Sequence, residues 1–221
     1  MLNIKDLEPI NFDYLLDETK NVLQTLHETA PFLSGYCLVG GSALALYLCH
    51  RKSEDLDFFT FADSFDTTLI LECVRQFSSF EVINKSPEQL DLLLDGVKVT
   101  FFNAQWSFLR PDHPQTLNIA SLDSIAAMKT NVLFVRAKYR DYYDLYCMVK
   151  HGMSLRKIFE CAHPVVKGLT YKLFCVALLY IEDIEDDMIA HLAPEEIVNK
   201  TQIRAFFEKQ LKAELLHPLN P

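Results

Sequence analysis

Apolar residues recur along the chain at two different periods, and the change from one to the other divides it. Asp17 to Leu33 carries Val22, Leu23 and Leu26 at helical spacing and stops at Pro31. Tyr36 to Val39 is a short apolar strand that runs straight into Gly40-Gly41-Ser42, and Ala43 to Cys49 reads as a buried helix. After the polar loop His50 to Glu54, the segment Asp55 to Phe61 alternates and predicts a second strand. Thr67 to Phe77 predicts a helix, and Phe80 to Asn84 and Gln89 to Leu94 predict strands. Asp95-Gly96 is a hairpin signal, with Val97 to Phe102 as the returning strand. From Ser121 onward the pattern is helical: Leu122 to Val135, Arg140 to His151, Leu155 to Ala162, Lys167 to Ile184 and Pro194 to Leu215.

This order of elements predicts an α+β chain. A mixed sheet with helices on it would occupy residues 1–112 as the core, and a mainly helical C-terminal half, 113–221, would pack on that core. Pro111 and Pro114 mark the boundary. A length of 221 residues, half of them hydrophobic, supports a core of that size and excludes disorder. The formal charge of −9 disfavours a general nucleic-acid binder, because any RNA contact would need a local basic patch. Six cysteines show no C-x-x-C pair and sit among apolar residues, which predicts buried free thiols rather than zinc ligands. The N-terminal stretch is mixed and charged, unlike a signal peptide. The longest apolar run, Leu173 to Ile181, would span about half a bilayer. The chain is therefore expected to be cytoplasmic, with no membrane partner.

Two features carry candidate chemistry. Gly40-Gly41-Ser42 follows a strand and opens a helix; glycines allow close backbone approach, and N–H groups at a helix start favour an anion. Ser42 would cap that helix or donate to a phosphate oxygen. No lysine follows in P-loop spacing. Asp55-Leu56-Asp57 opens the next strand, so alternation sets both carboxylates on one face. Two like charges beside Phe58 and Phe59 are costly unless a cation joins them, and carboxylates with substrate phosphates are the usual ligands of Mg2+. A short helix links the two features. Each alone is common: a glycine turn is usually a cap, and an Asp-x-Asp pair is usually a solvated strand end.

LVGGSALALYLCHRKSEDLDFF resembles the signature of the AbiEii/AbiGii toxin family of nucleotidyltransferases. IAAMKTNVLFVRAKYRDYYDLYCMVK, LLYIEDIEDDM and IRAFFEKQL are similar to its later segments. The resemblance implies a polymerase-beta-like nucleotidyltransferase sheet with a helical second half. It also implies Mg2+-dependent transfer of a nucleotide from an NTP to an acceptor hydroxyl. A tRNA 3′ end would be the acceptor, and the chain would be the toxin of a toxin–antitoxin or phage-defence system with a cognate antitoxin as partner. By carry-over, Asp55 and Asp57 hold the metal, Gly40, Gly41 and Ser42 with Arg51 and Lys129 contact the nucleotide, and Lys129 and Asp141 join the two metal-binding aspartates as catalytic residues. Asp144, one helical turn from Asp141, would be a support residue, and Arg136 a phosphate or RNA contact. One departure stands out. The superfamily often carries a third carboxylate on the strand after the hairpin, where Thr100 faces the site here; Asp91 and Asp95 read as misplaced, at a strand start and in a turn. Two alternatives follow: a toxin-like kinase acting on a protein, or a relative that binds nucleotide without turnover.

Overall fold

The computed structural model describes residues 10–61, 65–113, 115–184 and 189–216. The N-terminal nine residues, Pro114 and the part of the LLYIEDIEDDM segment from 185 to 188 lie outside them. The chain forms two compact units, Pro9–Ser124 and a second built on Ile125–Pro221.

In the first unit, α1 (Asp17–Thr29) ends before Pro31, which opens a 3-10 turn over Pro31–Gly35. β1 (Tyr36–Val39), α2 (Gly40–Leu48), β2 (Leu56–Thr60), α3 (Thr67–Val74), β3 (Phe80–Lys85), β4 (Gln89–Leu94), β5 (Val97–Phe102) and β6 (Asn118–Ile119) follow. The six strands form one mixed sheet in the order β3-β4-β5-β2-β1-β6. β2 runs parallel to β5 and antiparallel to β1. Asp95 and Gly96 join β4 to β5 with φ of 45° and 86°, the doubly left-handed turn that a two-residue hairpin requires. Asp95 also accepts a hydrogen bond from the Ser79 N–H at 2.7 Å, which fixes the entry to β3.

One face of the sheet is packed shut. Leu38, Leu56, Phe58, Leu90, Leu92, Val99 and Phe101 are buried there, with Phe58 stacked on Phe101. Val22, Leu23 and Leu26 of α1 and Ile70 and Val74 of α3 add to this core. β6 carries no pattern of its own. It is held by Asn118, whose side-chain amide donates to the Ser34 and Tyr36 carbonyls and accepts from the Gln115 N–H. At the opposite edge, β3 is exposed along its whole length, with a bulge between Val82 and Asn84.

The second unit is helical: α4 (Leu122–Val135, from Ile125 onward), α5 (Tyr139–Lys150), α6 (Leu155–Ala162), α7 (Tyr171–Leu179) and α8 (Lys200–Leu216). Side-chain caps set several of the starts. Ser154 caps α6 and Thr170 caps α7, which therefore begins after the left-handed Gly168 rather than at Lys167. Asn199 accepts the Gln202 N–H and fixes the start of α8 at Lys200, six residues after the expected Pro194. Among the described residues, no helix is long and apolar enough to cross a membrane. All six cysteines are free thiols. Cys37 and Cys147 are buried, and the other four are half-exposed, contrary to the expected general burial.

Candidate active site

The chain leaves β1 through an extended Val39 and enters α2 at Gly40, whose φ is +71°. The helix starts at Gly40, so Ser42 lies inside its first turn and does not cap it. The reason for two glycines is steric. A Cβ on Gly40 would lie 2.9 Å from Asp57 Oδ2, and one on Gly41 would lie 2.6 Å from an Arg51 guanidinium nitrogen. Real Cβ atoms do not come so close, so the first glycine lets the backbone pass a carboxylate and the second lets it pass a buried cation. Arg51 is only 2% exposed and donates to the Lys52 carbonyl at 2.9 Å. Ser42 is buried too. Its hydroxyl donates to the backbone carbonyl of Asp55 and lies 2.9 Å from Ser53 Oγ. Its role in this geometry is to tie the helix start to the residue that precedes β2.

Asp57 is half-buried between the fully buried Leu56 and Phe58, and Asp55 is half-buried just before the strand. The register then extends the site sideways. Val39 pairs with Asp57, Asp57 with Thr100, Thr100 with Asp91, and Asp91 with Asn84. Directly paired residues share a face, so Asp57, Thr100, Asp91 and Asn84 form one polar row across four strands. The neighbouring row, Leu38, Phe58, Phe101 and Leu90, is apolar and lies on the opposite face. Thr100 faces as alternation predicted. Asp91 does not stand apart at a strand start. Its Oδ1 accepts the Thr100 hydroxyl at 2.8 Å. The signal for this was present in the sequence: counting outward from the Asp95-Gly96 turn pairs residue 94 with 97 and hence 91 with 100.

In the helical unit, Lys129 of α4 is clasped by two acids of α5. Its ammonium lies 3.0 Å from Asp141 Oδ1 and 2.5 Å from Asp144 Oδ2, and both carboxylates are fully buried. Asp141 also accepts the Lys138 backbone N–H at 3.3 Å, the reciprocal bond of an acid in the first turn of a helix. Arg136, half-exposed, approaches Asp141 at 3.8 Å. Asp144, expected as a support residue one turn from Asp141, shares the Lys129 ammonium with it.

The residues fit a magnesium ion that shares a triphosphate. Such an ion needs only one or two protein carboxylates beside phosphate oxygens. Asp57 Oδ2 lies 2.9 Å from where a Cβ of Gly40 would go, at the head of a helix. Among the described residues, no group of three or more His, Cys, Asp or Glu side chains converges on a point. A cavity of about 660 Å3 opens elsewhere in this unit, against α1 and residues 115–119, and its lining includes none of the expected site residues.

Comparison with known proteins places the chain in a family. An uncharacterized protein of Aquifex aeolicus (strain VF5) is 29% identical over 187 residues, covering 81% of this chain and 88% of that one. MenT4, a nucleotidyltransferase toxin from Mycobacterium tuberculosis H37Rv, shares the fold with a TM-score of 0.56 at 17% identity, over 87% of this chain and 84% of its own. A Helicobacter pylori protein assigned as a nucleotidyltransferase shares it with a TM-score of 0.55 at 16% identity, over 93% and 99%. The family described as "Nucleotidyl transferase AbiEii toxin, Type IV TA system" matches residues 98–216, from β5 to the end of α8. The glycine turn and the Asp55–Asp57 pair precede that match, so the case for them is geometric. More than half of the chain is matched, and the protein belongs to the AbiEii family of nucleotidyltransferase toxins.

Proposed function

We propose that the sheet-bearing unit transfers a nucleoside monophosphate from an NTP to an acceptor hydroxyl at the 3′ end of a tRNA. The observation that carries this reading is the contact of Gly40 with Asp57: a bare backbone turn, at a helix start, held against a carboxylate. The first-turn N–H groups of α2, which have no partners within the helix, would take phosphate oxygens. Arg51, fixed beneath Gly41, adds a positive charge that needs no rearrangement during reaction. Ser42 has its hydroxyl committed to Asp55, so phosphate contact falls to its backbone. Asp55 and Asp57 would hold magnesium, which supplies charge neutralisation to the triphosphate. The acceptor oxygen bonds to the α-phosphorus, the bond to the bridging oxygen breaks, pyrophosphate leaves, and the hydroxyl proton passes to solvent. Positioning and fixed charge supply most of the rate. For Lys129 and Asp141, expected as catalytic, the buried pairing supports a holding role inside the helical unit. Membership of a toxin–antitoxin family makes a cognate antitoxin the natural protein partner.

The test uses purified protein, magnesium, total bacterial tRNA and each α-labelled NTP in turn, with Asp57→Asn alongside. Label on RNA with one or two NTPs, lost in the variant, supports the reading and names the donor. Label transferred equally well by the variant sinks the metal site, and label on protein alone sinks the RNA acceptor.

A further inference from the structure

The sheet carries a single polar row, and the proposed chemistry uses only one end of it. Asp91 is 7% exposed and Thr100 is 7% exposed, yet both are polar in a sheet whose opposite face is apolar. Asp91 is held on every side: Oδ1 accepts from Thr100 Oγ1 at 2.8 Å and from Gln89 Nε2 at 2.9 Å, and Oδ2 accepts from Gln89 Nε2 at 2.8 Å and from Asn84 Nδ2 at 3.3 Å. In the bond between Thr100 and Asp91 the threonine is the donor, so its single proton points at Asp91. The direction of that hydroxyl is therefore fixed by chemistry. What Thr100 presents to its other neighbours is lone pairs, and its cross-strand neighbour on the remaining side is Asp57.

We infer that Thr100 accepts the hydrogen bond of the attacking hydroxyl, and that Asp91 is the positioning residue that turns the threonine to do so. This rests on the reading of Asp57 as a magnesium ligand in nucleotidyl transfer. A neutral oxygen in this place orients the acceptor without adding a further charge beside Asp55 and Asp57. Asp91, one strand further out, supplies the orientation. A cross-strand Thr–Asp pair kept only to stabilise the sheet would show itself in stability and leave the acceptor indifferent.

The experiment measures transfer from the preferred α-labelled NTP to total tRNA, with melting temperature recorded for each protein. Thr100→Val is expected to lower kcat on the order of 10²-fold, the scale of a misplaced reacting group, with the KM for NTP changed by less than about twofold. Thr100→Ser, which keeps the hydroxyl, restores most of the rate. Asp91→Asn lowers kcat by a smaller factor in the wild-type background and by none in the Thr100→Val background, because the two residues act through one hydroxyl. Wild-type kcat in Thr100→Val overturns the inference. So does an Asp91→Asn loss of equal size in both backgrounds, which would mark a structural effect. If those results come with a dead Asp57→Asn enzyme, the nucleotidyltransferase reading stands and only the inference fails. If the wild type labels no tRNA, the reading fails and the inference falls with it.

Discussion

The protein holds charge in two different ways. In the helical unit, Lys129, Asp141 and Asp144 are buried, opposite in sign and matched at 2.5–3.0 Å. In the sheet-bearing unit, Asp55 and Asp57 are half-buried, alike in sign, and set against a turn stripped of side chains. Burying two carboxylates with a cation in register stabilises an architecture but leaves little for a substrate to add. Two carboxylates left part-exposed beside a helix start stay within reach of a ligand. Sequence distance does not separate these cases; the way each cluster is closed does.

The comparison breaks first at Asp57. Asp57→Asn should cost on the order of 10³-fold in kcat/KM, about 4 kcal/mol of transition-state stabilisation, while the denaturation midpoint stays near wild type. A large stability loss would place Asp57 with the clasp instead. Lys129→Met should do the opposite. Leaving two buried acids without their cation should cost about 3–5 kcal/mol in urea unfolding, largely recovered in Lys129→Met/Asp141→Asn/Asp144→Asn. A Lys129→Met protein of normal stability and no activity would transfer Lys129 to the catalytic group and erase the distinction. Gly40→Ala should be intermediate. The left-handed backbone alone costs about 1–2 kcal/mol, and the added methyl has to displace Asp57, so stability and activity fall together. A variant that loses stability and keeps full activity would show that the close approach is structural.

The smallest effect tests burial without a partner charge. Desolvation holds the Cys37 thiol up at about 12 and the Tyr36 phenol up at about 12, both on β1. The neutral forms are the ones the fold accepts, so their contribution is complete below about pH 9 and is lost as pH rises toward 12. Stability should fall by about 1 kcal/mol from the thiol alone by pH 10, and Cys37→Ala should flatten that part of the slope. An unchanged slope in Cys37→Ala would mean that other groups govern alkaline unfolding.

Strand and turn positions were legible because they rest on local rules. Tyr36–Val39, Gln89–Leu94 and Val97–Phe102 match their expected bounds residue for residue, since alternation and the Asp95-Gly96 turn leave little freedom. The last helix was misplaced because Pro194 is an allowed helix opener and the cap that actually starts α8 is Asn199. Within the site, Gly40 and Asp57 were readable from spacing. Arg51 was named as a nucleotide contact, but its burial was not readable: in the string HRKSE it looks solvated, and a side chain on Gly41 would collide with its guanidinium. The bond of Ser42 to Asp55 was equally hidden, because it depends on where a loop returns in space. Asp91 was available to simple hairpin counting and was missed by treating a strand's third residue as its edge.

β3 has a meaning for the life of the protein in solution. A fully exposed outer strand bearing Phe80, Val82 and Ile83 offers its backbone to any neighbouring chain in a concentrated solution. The irregularity between Val82 and Asn84, with Glu81 and Lys85 beside it, spoils the straight ladder that such a neighbour would need. A kink of one residue thus guards shelf life and solubility, at the outer end of the polar row that begins at Asp57.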